Sequence, residues 1–133
     1  MTAPQFSIRR KALDIVRAHA QAEAPAECCG LLIGRGTAID EAVPARNLAD
    51  SPTRFLVDPQ DHISVLRAAR GRGFDVVGFF HSHPHSAAWP SLTDVAESAY
   101  PDAVHLIVDS EGQARLFRID GGSVIELPFV ATE

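Results

Sequence analysis

The chain has 133 residues, 46% hydrophobic and 22% charged, with a formal net charge of −5. That length suits one domain over residues 1–133 with its own apolar core and leaves no room for a second. An acidic chain offers no electrostatic footprint for nucleic acid, its apolar runs are far shorter than the roughly 18 residues of a membrane span, and Met1–Gln5 has no basic segment leading into a hydrophobic one, so a cytoplasmic protein is expected.

Apolar residues at 8, 12, 15, 16 and 20, with a stop at Pro25, predict an amphipathic helix over Ile8–Glu23. Gly30–Ile33 reads as a buried strand, and Gly34-Arg35-Gly36 turns it into a second strand over about Ala38–Val43, giving a hairpin. Pro44–Thr53 reads as loop, Phe55–Val57 as a brief strand, and Pro59–Ala69 as a second helix ended by Gly71 and Gly73. Arg67, Arg70 and Arg72 gather at that end, where cations suit the helix dipole. An apolar strand from Asp75 runs into His81 and His83, a short helix spans Leu92 to about Ala99, and strands follow near 104–109, 114–119 and 123–128. These elements predict an α/β fold with a central mixed sheet flanked by helices.

Chemistry concentrates where the histidine strand ends. Side chains of a strand alternate between faces, so His81 and His83 project from one face and can reach one metal ion. Pro84 lacks a backbone N–H and stops the ladder there. Ser91 reads as a helix N-cap with Asp94 in the first turn, an ordinary capping box that also aims a carboxylate back at the histidines. Two neutral imidazoles and one carboxylate leave an open position on a tetrahedral ion, the arrangement of a hydrolytic zinc rather than a structural one. His85 continues the alternation, so a three-histidine site is conceivable, but Pro84 breaks the strand before it and His85 is expected at the rim or surface. Positions 87 and 88 are alanine, which removes the glutamate a cupin-like site needs, and neither the H-E-x-x-H helix nor the G-x-S-x-G elbow is present. Cys28 and Cys29 are adjacent and cannot staple distant segments; they are expected to pack in the core in a reducing compartment.

His81-x-His83, seven residues, then Ser91-x-x-Asp94, with Glu27 upstream in Pro25–Gly34, closely resembles the JAMM (MPN+) zinc metalloproteases of the compact bacterial type. Further similarities are Phe55–Pro59 before a helix, Gly78 before Phe79-Phe80-His81, and Tyr100-Pro101 before Leu106–Asp109; the resemblance covers roughly residues 6 to 128. It implies the JAMM core, related to cytidine-deaminase-like folds, with one zinc ion held by His81, His83 and Asp94. It also implies that Glu27 handles the proton of the attacking water while Ser91 stabilises charge on the carbonyl oxygen. The implied substrate is a peptide or isopeptide bond after the carboxy-terminal glycines of a ubiquitin-like or sulfur-carrier protein, whose extended tail could pair with a sheet edge. Two alternatives stay open from the sequence: a non-catalytic MPN scaffold, and a zinc-dependent small-molecule amidohydrolase or deaminase.

Overall fold

In the computed structural model, which describes residues 5–133, the chain runs β1 (Phe6–Arg9), α1 (Arg10–Glu23), β2 (Cys29–Arg35), β3 (Ala38–Ala45), α2 (Pro59–Gly71), β4 (Asp75–His83), α3 (Leu92–Glu97), β5 (Val104–Asp109), β6 (Ala114–Asp120), β7 (Ser123–Leu127) and β8 (Phe129–Thr132). The expectation drawn from the amino terminus rests largely on Met1–Pro4, which lie outside the described residues. The strands form one eight-stranded sheet in the order β7-β6-β5-β4-β2-β3-β1-β8. Its pairing is mixed: β4 is antiparallel to β2 and parallel to β5. The edge strands β7 and β8 are separated only by Pro128, so the two edges come within about 7 Å at that corner and the sheet must curl.

Alternation along the central strands divides the interior in two. Leu32, Phe80, Leu106 and Leu116 pack against Ala12, Leu13 and Val16 of α1. Leu31, Ile33 and Phe79 point the other way, against Ala69 and Val65 of α2. The helices therefore cover opposite faces, and the central strands read as continuous apolar runs because both faces are buried. Two close approaches explain glycines in these strands: a Cβ on Gly30 would meet the Phe80 ring, and one on Gly78 would meet the Val104 carbonyl of β5. Asp58 caps α2 by accepting from the Gln60 N–H at 2.8 Å, with Pro59 in the first helical turn.

Three expectations need correction. Ile8 belongs to β1, not to the helix, which starts at Arg10. Phe6 and Ile8 are buried with period two because β1 is a parallel rung between β3 and β8, and Ile8 happens to fall on the helical spacing with Ala12 as well. Phe55–Val57 forms no strand, only an isolated antiparallel bridge between Asn47 and Val57. The chain beyond residue 128, for which no element was expected, forms β8. At the end of α2, Arg70 and Arg72 make ion pairs with Asp75 and Glu41. Among the described residues no helix is long and apolar enough to cross a membrane.

Candidate metal centre

β4 and the start of α3 supply three donor atoms that converge. The pleat places His81 and His83 on one face with their Nε2 atoms 3.1 Å apart. Helix α3 then brings Asp94 Oδ2 to 3.1 Å from His81 Nε2 and 3.0 Å from His83 Nε2. The capping box aims that oxygen: Ser91 N–H donates to Asp94 Oδ2 at 2.9 Å, and Ser91 Oγ accepts from Asp94 N–H at 3.0 Å. Tetrahedral ligands about 2.0–2.1 Å from an ion stand about 3.3–3.5 Å apart. The observed triangle is slightly tighter than that, and all three side chains are buried, so the residues fit a metal ion.

The histidines are oriented by what lies behind them. His83 Nδ1 sits 2.8 Å from the Ala87 carbonyl, which only accepts, so Nδ1 carries a proton and, in the neutral ring, Nε2 is the nitrogen left to bind a metal. The His81 ring stacks on Phe55 at 4.2 Å between centroids and 21° between planes.

Glu27 completes the cluster, its carboxylate and the three donors all lying within 4.8 Å of one another. It precedes β2 and is fixed through its backbone: Glu27 N–H donates to the Ser51 carbonyl at 2.7 Å, and its carbonyl accepts from Asn47 Nδ2 at 3.0 Å. The side chain is 3% exposed and Oε1 has no hydrogen-bond partner. Burial pushes its pKa up to about 7; the nearby His83 opposes the rise and Asp94 adds to it. Burial would also raise Asp94, but hydrogen bonds from His81 and His83 outweigh it and hold the carboxyl well below the usual range. Burial pushes His81 down, whereas in His83 the hydrogen bonds to Asp94 and the Ala87 carbonyl overcome burial and push it up. The cluster is thus built around one anion, Asp94, with the two histidines shifted in opposite directions.

Residues 9–120 match the family described as prokaryotic homologs of the JAB domain. The chain belongs to that family. Similar JAB-domain relatives include a desampylase of Haloferax volcanii, 36% identical over 96% of both chains, and a CysO-cysteine peptidase of Mycobacterium tuberculosis, 33% identical over 95% of this chain and 90% of that one. A solution structure of a protein from Desulfitobacterium hafniense superposes with a TM-score of 0.88 at 30% identity, covering 97% of this chain and 94% of that one.

Within this JAB domain, four of the residues singled out from sequence, Glu27, His81, His83 and Asp94, meet in the cluster, and Ser91 is tied to it through Asp94. His85 is exposed on the following loop and stands outside, so the three-histidine arrangement does not occur. Cys28 and Cys29 are free and buried, their thiols pushed up to about 11 and about 12 chiefly by burial, as core residues rather than donors. Sequence reasoning missed the residues that support the donors. Asn47 anchors the Glu27 segment while its Oδ1 accepts from the N–H groups of Ala49 and Leu56, a hub that an asparagine in a predicted loop could have suggested. Phe55 was noted only within the Phe55–Pro59 segment, with no role at the site, and the Ala87 carbonyl gave no local signal. His105, a lone polar residue in an apolar strand, is 7% exposed beside the site, and burial depresses its pKa to about 4.

Proposed function

We propose that this chain, as a single domain over residues 1–133, is a cytoplasmic zinc metallopeptidase that hydrolyses the peptide or isopeptide bond after the carboxy-terminal glycines of a ubiquitin-like, possibly sulfur-carrying, protein. The observation that carries the reading is the convergence of the His81, His83 and Asp94 donors with the buried, unpartnered carboxylate of Glu27. The names of the relatives support it: one is a desampylase, another a CysO-cysteine peptidase. In this reading His81, His83 and Asp94 hold the zinc ion. Bound there, zinc supplies Lewis acidity, lowering the pKa of water towards about 7 and polarising the scissile carbonyl.

The chain's own residues perform the proton transfers. Glu27 takes the proton of the attacking water and delivers it to the leaving amine, its carboxylate standing within 4.8 Å of the three donor atoms. Burial removes competing solvent from its Oε1. Ser91 Oγ already accepts from Asp94 N–H, which leaves its own O–H free to donate to charge developing on the carbonyl oxygen. Asp94 keeps its oxygen aimed because the same capping box that starts α3 also holds it. The surroundings suit a macromolecule: Leu48, Leu56, Trp89, Leu92 and Tyr100 are exposed on segments flanking the cluster, as at a protein-docking surface. β4 lies between β2 and β5, however, so a glycine tail finds no free sheet edge beside the donors and must cross the strand ends instead.

Intact-mass analysis of a ubiquitin-like sulfur carrier bearing a short extension after Gly-Gly tests the reading. Wild type removes the extension and Glu27→Gln, equally loaded with zinc, slows removal about 10²–10⁴-fold. Asp94→Asn loses most of its zinc in elemental analysis, because a neutral amide oxygen is a poorer donor than a carboxylate. Wild-type turnover by Glu27→Gln would remove it as the proton carrier.

A further inference from the structure

A cavity of about 140 Å³ opens beside the donors and has both His81 and Asp94 in its wall. Its depth is formed by the buried Phe79, His81 and His105, and its mouth by the exposed Leu56, Glu97 and Tyr100. The volume is close to that of an engineered protein cavity of about 150 Å³ that takes up benzene, so a side chain of up to about six heavy atoms would fit. Three residues of the wall carry a buried polar atom without a partner: His81 Nδ1, Ser98 Oγ and His105 Nε2. These atoms lie beneath the wall rather than on it, so the surface the cavity offers a ligand is almost wholly apolar.

We propose that this cavity receives the side chain of the residue immediately following the scissile bond, with His105 as a specificity-determining residue at its base; the assignment rests on the peptidase reading above. The residues before the bond are glycines and have nothing to place in a cavity that shares two side chains with the metal cluster. The side chain beyond the bond is the one available to fill it. The walls also state what is admitted. Phe55, Val57 and Phe79 are apolar, so a charged group would lose its hydration without compensation. Asp94 and Glu97 add repulsion against an acidic one. An aliphatic or thiol side chain matches, the thiol as a small polarisable group against the His105 ring.

The test is a competition among carrier proteins ending in Gly-Gly-X, with X glycine, cysteine, valine or aspartate followed by a common extension, cleaved by the zinc-loaded protein and resolved by mass. Cysteine and valine are expected to exceed glycine and aspartate by about tenfold or more in kcat/KM, the discrimination typical of filling an apolar pocket. Ala99→Phe, which places a ring at the exposed rim, brings the valine-to-glycine ratio towards one, and His105→Leu lowers the cysteine-to-valine ratio. Independently of turnover, the His105 ring resonances of zinc-loaded Glu27→Gln should shift on titration with free valine but not with glycine. Equal rates for all four substrates with unmoved His105 resonances would overturn the subsite while leaving the peptidase reading intact. Cleavage of none of them would instead sink the peptidase reading.

Discussion

The two faces of β4 follow opposite rules within one strand. Towards α1, Phe80 is fully buried, packed against apolar neighbours and edge-on to His19, whose Nε2 has no partner, while the strand's own polar group there, Ser82 Oγ, accepts from Cys28 N–H at 2.8 Å. Towards the other side, Phe79 gives way to His81 and His83, and buried polar atoms of Glu27, His81 and His105 go without partners. One face holds the sheet together; the other is left underbonded where chemistry is proposed. Burial on both faces is equally deep, so what separates them is how many buried polar side chains of the strand each carries: Ser82 towards α1, His81 and His83 on the other.

Substitutions can break or sharpen that contrast. Phe80→Ala should cost about 3–5 kcal/mol in urea unfolding, because the cavity it leaves sits beneath Gly30 in the best-packed part of the sheet, while zinc stoichiometry of the folded protein stays unchanged. Loss of zinc in the folded state would show that the faces are not independent. Ser91→Ala should reduce kcat about 10²–10³-fold with metal retained, and lower stability by about 1 kcal/mol through loss of the cap. A rate loss confined to about the stability effect would reduce Ser91 to a capping residue.

The smallest effect concerns pH in the metal-free protein. Glu27 is raised to about 7 in the fold against 4.5 for the unfolded chain, so the folded state binds more protons between those values. Its contribution is intact below about 4.5 and is lost as pH rises through about 7. Glu27→Gln should therefore stabilise the metal-free protein by on the order of 1–3 kcal/mol at pH 8, and the difference should vanish near pH 4.5. His105 runs the other way: its depressed pKa supports the fold above about 6.5 and ceases to as pH falls through about 4. Thermal melts across pH 4–8 separate the two.

The donors were legible because each follows from a local rule. Period two put His81 and His83 on one face, Pro84 ended the strand, and a capping box fixed Ser91 and Asp94 at a helix start. Glu27 was legible only through the resemblance of its surroundings, since a lone glutamate before an apolar run has no chemistry of its own. What stayed hidden depends on distant partners. β8 is a four-residue segment after a proline whose strand character comes from pairing with β1, more than a hundred residues earlier in the chain. The same pairing drew Ile8 out of the expected helix. Phe55 behind His81 and the Ala87 carbonyl behind His83 come from segments without a periodic signal, and only the folded arrangement brings them to the histidines.

The parallel ladder between β1 and β8 has a mechanical consequence. Its four rungs run from Phe6 opposite Phe129 to Arg9 opposite Thr132. Tension applied between residues 6 and 132 draws the two strands past each other along their length, so the rungs share the load and yield together rather than opening one by one as in a zipper. A domain whose proposed work is trimming the tails of other proteins is thereby hard to unravel from its own.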